Sequence, residues 1–427
     1  MSPQDADRIA SPGNGVTAWT VWTLAACGFA FGFFMRVSPS AMVEDLMRDF
    51  AVGAAVVGNL SAIYFYVYAG IQLPVGALMD RWGPRLMITG SIALAAAGAA
   101  LFASAQDIAI AYLGRFLIGA GSAVAFVGSL SLAGRWFAPN RFAFVTGLTM
   151  LAGMIGGILG QAPLAYAVGI FGWRTAMLAS ACFAIGLTVL IWAIVRDRPT
   201  GTETGHDRVS GAAWRSIAWT VTMPRIWVIA AVAASFSGPL LAFGGLWGVP
   251  YLMAKFGIER PDAAFYVSLN LFGWALGAPV GGWLSDHVGR RKLPLLLACV
   301  ANVSCLALLL YLPGVSLVAT ACLIFLTGLL GGTMVISYAV ARENAPAAIH
   351  GAVTGFINTA TVGAGAVLQP IIGVFLDLQW DGRMVDGARV YTVEAYDTAF
   401  ASLIAWAVMG LVFIAFVRET YCRPQAA

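Results

Sequence analysis

The sequence predicts an all-α membrane protein, with twelve transmembrane helices arranged as two pseudo-symmetric six-helix bundles. Three observations lead there. The 427 residues are 60% hydrophobic and only 10% charged, with mean hydropathy +0.83. A soluble domain carries about 25% charged residues, so this chain cannot cover a water-facing surface and must be solvated largely by lipid. Apolar runs of about 20 residues, enough to cross a bilayer, recur on both sides of one polar stretch at 196–225. A charged, glycine-containing turn, Gly76-Ala-Leu-Met-Asp80-Arg81-Trp-Gly83-Pro-Arg85, returns in the second half as Gly282-Trp-Leu-Ser-Asp286-His-Val-Gly289-Arg290-Arg291-Lys292. Matching loops at matching positions indicate an internal repeat.

The spans follow in order. The first, 18–43, contains Arg36 and meets Pro39, which lacks the N–H a helix needs. The second and third, 54–79 and 86–105, flank the first charged turn. The fourth, 108–134, starts after Asp107, a capping residue. The fifth, 142–170, carries Gly147, Gly153, Gly156, Gly157, Gly160 and Pro163, a density of small residues that permits close helix contact. The sixth, 175–195, ends at Arg196. Residues 196–225 hold Arg196, Asp197, Arg198, Glu203, His206, Asp207, Arg208 and Arg215. They read as a cytoplasmic linker between a bundle over 1–195 and a bundle over 226–427, with a short interfacial helix near Trp214 and Trp219. The second bundle then runs 226–252, 262–284, 293–313, 316–341, 349–377 and 396–417.

Charge sets the expected orientation. With the N-terminus inside, sixteen Lys and Arg fall at cytoplasmic ends and six at outer ends, a strong positive-inside bias. Both termini are therefore expected in the cytoplasm. Residues 1–17, with Asp5, Asp7 and Arg8, lack the shape of a signal peptide. Low Lys content with Ala, Gly and Arg richness suggests a bacterial inner membrane. The basic residues scatter through loops, which argues against nucleic acid. The six cysteines show neither metal spacing nor a disulfide framework, and five of them sit inside apolar runs as small core residues. No metal or other cofactor is expected. No Walker-type phosphate loop occurs, and His206, His287 and His350 lie in loops without acid or nucleophile company, so the chain does not read as an enzyme. No loop is long enough for the soluble output domain of a sensor.

Gly76-x-Leu78-x-Asp80-Arg81-x-Gly83-x-Arg85 resembles the loop signature of the major facilitator superfamily, which joins the second and third helices. Its copy falls between the eighth and ninth, where that family often repeats it. Arg115-Phe-Leu-Ile-Gly119-Ala-Gly121-Ser-Ala123 is similar to the family's helix-four motif, and Phe171-Gly-Trp173-Arg174 to the end of its fifth helix. The resemblance covers nearly the whole chain. It implies two bundles around a central cavity, alternating access by rocking of the halves, and a monomer. It also implies that Gly76, Asp80, Arg81, Gly83 and Arg85, with Asp286, Gly289, Arg290 and Arg291, form gate latches. Asp80 would pair with a nearby Arg to close the cytoplasmic side. The arginines alone also read as positive-inside anchors. His287 stands where the signature usually has Arg, which implies a weaker or pH-sensitive second latch. The fifth-span glycines loosely resemble the antiporter motif, but Gln161-Ala162 precede Pro163 where that motif has Gly-Pro.

Ionisable groups inside spans are costly, by about 2.5–3.5 kcal/mol at the helix centre, and so mark function. Arg36 and Arg115 are the clear cases, and no Asp or Glu lies deep in a span. A guanidinium binds carboxylate or phosphate bidentately and stays charged. Both arginines are expected to clamp an anionic substrate, a carboxylate by preference, as the resemblance to organic-anion transporters implies. Two alternatives stay open: Arg115 bonding backbone carbonyls, and Arg36 reaching the outer interface near Glu44 and Asp45. Ser122 and Ser129 repeat on the Arg115 face, and Tyr64, Tyr68 and Gln72 lie four apart on another, with Asn59 and Tyr66 beside them. The second half offers neutral groups: Asn270 and Trp274 one turn apart, Asn358 and Gln369 on one face, and Trp247 in the broken stretch Gly244–Pro250. The expected function is secondary active or facilitative transport of a small organic anion, with a coupling proton or sodium ion as a possible partner. The runner-up is drug or metabolite efflux by antiport, for which a cationic drug would need a buried acid.

Overall fold

The structure is a computed structural model and describes residues 15–197 and 212–423. Residues 1–14, 198–211 and 424–427 lie outside the described residues, as do Gly76 and the side chains of Asp80, Trp214 and several other helical positions. So the linker groups Arg198, Glu203, His206, Asp207 and Arg208 and the expected Asp80 latch are not seen.

Among the described residues, twelve helical stretches are long and apolar enough to cross a membrane. They are Val16–Phe50, Ala54–Gln72, Arg81–Ser104, Ile108–Trp136, Phe144–Phe171 and Trp173–Ile194, then Pro224–Phe256, Arg260–Val288, Lys292–Tyr311, Leu317–Glu343, His350–Leu378 and Val393–Phe416. All twelve overlap the apolar runs, because a span must be long enough to cross the hydrocarbon and its backbone must bond to itself. The linker carries a helix over Ala212–Val221, which includes Trp214 and Trp219. A two-residue-per-strand hairpin, Met384–Val385 with Ala388–Arg389, joins the last two spans.

The interruptions matter more than the regular parts. The first span is a helix over Gly15–Val37, a 3-10 turn over Ser38–Met42 and a helix over Val43–Phe50. Pro39 breaks the ladder there, and Ser38 and Ser40 donate to the carbonyls of Met35 (3.1 Å) and Val37 (2.8 Å). The seventh span is α-helical over Pro224–Pro239, a π-helix over Leu240–Trp247, then α-helical over Gly248–Phe256. π-helical insertions of this kind tend to sit at functional positions.

Glycines set the close approaches. A Cβ on Gly277 would lie 1.8 Å from the Leu329 carbonyl oxygen, so the eighth and tenth spans meet backbone to backbone. Large apolar side chains such as Phe183, Trp283, Leu297 and Val318 face outward, as lipid solvation requires.

The two six-helix bundles touch at the end remote from the linker, here the far end. Arg260 reaches from the second bundle to Glu44 (3.0 Å) and Asp45 (2.5 Å) in the first. Asp377 accepts the backbone N–H groups of Ala54 (3.0 Å) and Ala55 (2.9 Å) at the start of the second span. A Cβ on Gly58 would stand 2.6 Å from the Gln369 carbonyl oxygen, so the second and eleventh spans also meet closely. Gln161 accepts from Ser40 (3.1 Å) and donates to the Gly244 carbonyl across the interface (2.6 Å). The far end is closed.

Candidate functional site

Arg36 lies in the last helical turn before Pro39 and Arg115 two turns into the fourth span. The fold brings them to one ring. Their guanidinium carbons lie 5.6 Å and 5.3 Å from the Tyr64 centroid. Arg36 also stacks on Phe33 (4.2 Å) and Tyr68 (5.1 Å), in the cation–π range. Tyr64 and Tyr68 stack on each other at 5.8 Å, as their four-residue spacing requires. The Tyr64 hydroxyl donates to the Gly32 carbonyl at 3.0 Å, which fixes the second span against the first.

The two arginines are held differently. Arg115 is fully buried and donates to the carbonyls of Met35 (2.7 Å) and Ser61 (3.3 Å). It therefore ties the first and second spans together at the residue preceding Arg36. The carbonyl-bonded alternative describes its contacts. Arg36 is 7% exposed, its Nε is buried without a partner, and the rest of its guanidinium meets only the neutral hydroxyls of Tyr64 and Tyr68 among the described residues. It does not reach out to Glu44 and Asp45, because those carboxylates are taken by Arg260 and Arg48. Among the described residues neither Arg36 nor Arg115 enters an ion pair, although nine are formed elsewhere.

Around this pair the sequence-predicted residues divide. Ser122 is buried with its hydroxyl unpartnered, packed against Gly32 of the first span. Gln72 donates to the Ala123 carbonyl at 3.3 Å, linking the second and fourth spans. Asn59 and Tyr66 do not line the cluster. Both are exposed, and Asn59 donates to the Tyr112 hydroxyl at 3.3 Å. Helical rotation places them on the outward side of the second span.

In the second bundle, Tyr338 lies within electrostatic reach of Tyr68 across the interface and donates to Asn358 Oδ1 at 3.2 Å. Tyr338 was not singled out from sequence; an isolated aromatic in a span is ordinarily packing. Trp274 on the eighth span leaves its Nε1–H buried and unpartnered. Trp247 and Gln369 instead join the π-helical segment to the eleventh span, and Asn270 joins the eighth span to the tenth. Trp247 donates to the Gln369 carbonyl (3.0 Å), Gln369 to the Leu241 carbonyl (2.8 Å), and Asn270 to Ile324 and Thr327. A cleft of about 700 Å³ opens beside Val16, Trp19, Thr20, Thr23 and Leu24. Its lining is largely apolar and it lies at least three turns toward the linker from Arg36.

The charged turns form hubs at the linker end. In the first, Gly83 has φ +77°, and a Cβ there would meet Asp197 at 2.9 Å. Asp197 accepts the Arg85 N–H at 2.7 Å, capping the third span, while the Arg85 guanidinium bonds the Trp192 carbonyl and stacks on the Trp192 ring. Arg81 is exposed. In the second, Gly289 takes a left-handed turn (φ +66°), and Arg291 binds Asp286 (2.6 Å) and Glu343 (2.8 Å). Burial alone would lower the Arg291 guanidinium, but the bonds to Glu343 and Asp286 hold it above its ordinary value. Glu419 accepts the N–H groups of Arg291 and Lys292, and these hold its carboxyl below the usual range against the opposing effect of burial. Arg290 is exposed, and His287 stacks on Trp283. Arg291, not the residue at 287, supplies the cation of this hub. Asp197, Glu343 and Glu419 carry no pattern that a sequence reading could have selected.

A family model for the Major Facilitator Superfamily matches residues 24–370. The chain belongs to that superfamily. It is 24% identical over 305 residues to "Uncharacterized transporter YybO" of Bacillus subtilis, covering 67% of this chain and 69% of that one. It is 22% identical over 278 residues to "Probable sulfoacetate transporter SauU" of Cupriavidus necator, covering 62% and 64%. It is 26% identical over 393 residues to "Membrane sensor protein UhpC" of Escherichia coli, covering 86% and 87%. Among solved structures, a bacterial homologue of the human lysosomal transporter Spinster, inward-facing and unoccupied, superposes with TM-score 0.78 at 14% identity over 95% of this chain and 98% of that one. That likeness establishes the fold. The protein is a multi-pass membrane transporter, not an enzyme.

Proposed function

We propose that this superfamily member carries a small organic anion, a carboxylate by preference, across a bacterial inner membrane by alternating access. Arg36 makes the direct contact and Arg115 supplies a second buried positive charge. The observation that carries the reading is the Arg36 guanidinium, buried among Phe33, Tyr64 and Tyr68 with its Nε unpartnered, only neutral hydroxyls beside it and no carboxylate paired with it among the described residues. A buried cation with no counter-charge is well matched by an anionic ligand oxygen. The relative designated for sulfoacetate fits an anionic substrate. Tyr64, Tyr68, Gln72 and Ser122 would line the first-bundle side, with Tyr338, Asn358 and Trp274 opposite. Trp247, Asn270 and Gln369 would belong to the far-end gate. The expected clamp is thereby refined: Arg115, bonded to two carbonyls, acts through its charge.

The positive-inside bias supports both termini in the cytoplasm, with bundles over 1–195 and 226–427 and the linker between them. The far end is then periplasmic, and the conformation is closed to the outside. Efflux of cationic drugs fits poorly, because two positive charges would repel them. The test is thermal stabilisation of the purified protein by carboxylates, phosphorylated metabolites, sugars and cationic drugs, with Arg36→Ala and Arg115→Ala in parallel. Stabilisation by an organic anion that disappears in Arg36→Ala is the expected result. Stabilisation by neutral or cationic compounds that survives both substitutions would refute the reading. Vesicle uptake with and without internal anion then separates exchange from proton- or sodium-coupled entry.

A further inference from the structure

We infer that the preferred substrate is a compact dianion rather than a monoanion. This rests on Arg36 being the anion contact. The argument is one of charge inventory. Arg36 and Arg115 flank a single ring, Tyr64, at 5.6 Å and 5.3 Å, and are 7% and 0% exposed. Each leaves its Nε without a partner, and no ion pair among the described residues includes either. The polar groups beside them are neutral: the hydroxyls of Tyr64, Tyr68, Ser61 and Ser122, of which the two serine Oγ atoms have no partner. Guanidinium stays protonated in proteins, so the protein's own groups leave the cluster with two uncompensated charges in a low-dielectric setting. The carbonyls of Met35 and Ser61 satisfy Arg115 as a donor but do not cancel its charge.

A monoanion on Arg36 leaves one buried charge standing. A dianion removes both, provided its second negative group stays near the same ring, which requires a short spacer. At an effective dielectric near 20 and a separation of about 8–10 Å, the second attraction favours binding by roughly ten- to thirtyfold. Desolvating the second carboxylate offsets part of this. Neutral donors in the second bundle, Trp274 Nε1–H among them, suit its oxygens without adding charge.

The test uses probes that differ in charge but hardly in shape: succinate, its monoamide succinamate and its diamide succinamide, and the corresponding malonate and glutarate series. Binding is measured on purified full-length protein at pH 7.5. The expected order is dicarboxylate, then monoamide, then diamide, with about a tenfold gap between the first two. Succinate affinity should fall toward that of succinamate as pH drops through succinate's own second ionisation, a readout that needs no variant. Arg115→Gln should narrow the gap between dianion and monoanion. Monoamides that bind as tightly as the dicarboxylates, with binding still abolished in Arg36→Ala, would overturn the inference and leave the proposed function standing. Anion binding that persists in Arg36→Ala would remove both.

Discussion

Asp377→Ala should open the far end. The second span begins at Ala54, and its N-cap residue is Gly53, which has no side chain with which to cap. Its first two N–H groups are instead taken by Asp377 of the other bundle, at 3.0 Å and 2.9 Å. A Cβ on Gly53 would sit 2.5 Å from the Asp377 oxygens, so the glycine is what admits the foreign cap. Tyr391 (2.6 Å) and Arg389 (3.2 Å) hold the carboxylate in place. Removing a cap costs about 0.5–2 kcal/mol, and removing a negative charge from a helix N-terminus about 0.3–1 kcal/mol. Both terms exist only while the bundles touch. The far-end-closed state should therefore lose roughly 1–3 kcal/mol, a shift of about 5- to 150-fold in its equilibrium with the far-end-open state. Distance distributions between spin labels at Ala51 and Gly382, in a cysteine-free background, would report the shift. The double variant Gly53→Ser/Asp377→Ala supplies a local cap and should recover thermal stability while staying open. An unchanged distance distribution in Asp377→Ala would refute the reasoning.

Two further outcomes follow from other parts of the fold. Gly277→Ala forces a methyl against the Leu329 carbonyl and should cost about 1–3 kcal/mol or more in stability, seen as a lower melting temperature in detergent, whereas Gly351→Ala, with nothing within 4 Å, should cost far less. Glu419 has a depressed carboxyl pKa, so it stabilises the fold fully above its unfolded value near pH 4.5, and that contribution is lost as pH falls through the lower folded value. Melting temperature against pH should accordingly fall less steeply below pH 4.5 in Glu419→Gln than in the parent protein; parallel profiles would show that the bonds to Arg291 and Lys292 carry no weight.

The candidate site was partly legible in the sequence. Arg36 and Arg115 stood out because a charge in hydrocarbon is expensive enough to be rare. Tyr64 and Tyr68 followed from helical period, and the structure stacks them. Which arginine was already occupied did not follow. The atoms that hold Arg115 are the carbonyls of Met35 and Ser61, and every residue has a carbonyl. Tyr338 was missed because its role depends on facing Tyr68 across an interface between spans far apart in the chain. Asn59 and Tyr66 were misplaced because period alone gives relative angle on a helix, not which face meets a neighbour.

The sequence by itself determined the class, the twelve spans and the two charged turns. Bilayer thickness and the need to satisfy every backbone group leave one reading of repeated apolar runs. Only the tertiary structure decided the pairings. Arg291 with Glu343, Asp197 with the third span, Asp377 with the second and Arg260 with Glu44 and Asp45 are contacts between groups 50 to more than 300 residues apart. Such contacts are set by which helix faces pack together, a property of the assembled bundles rather than of any local stretch of chain.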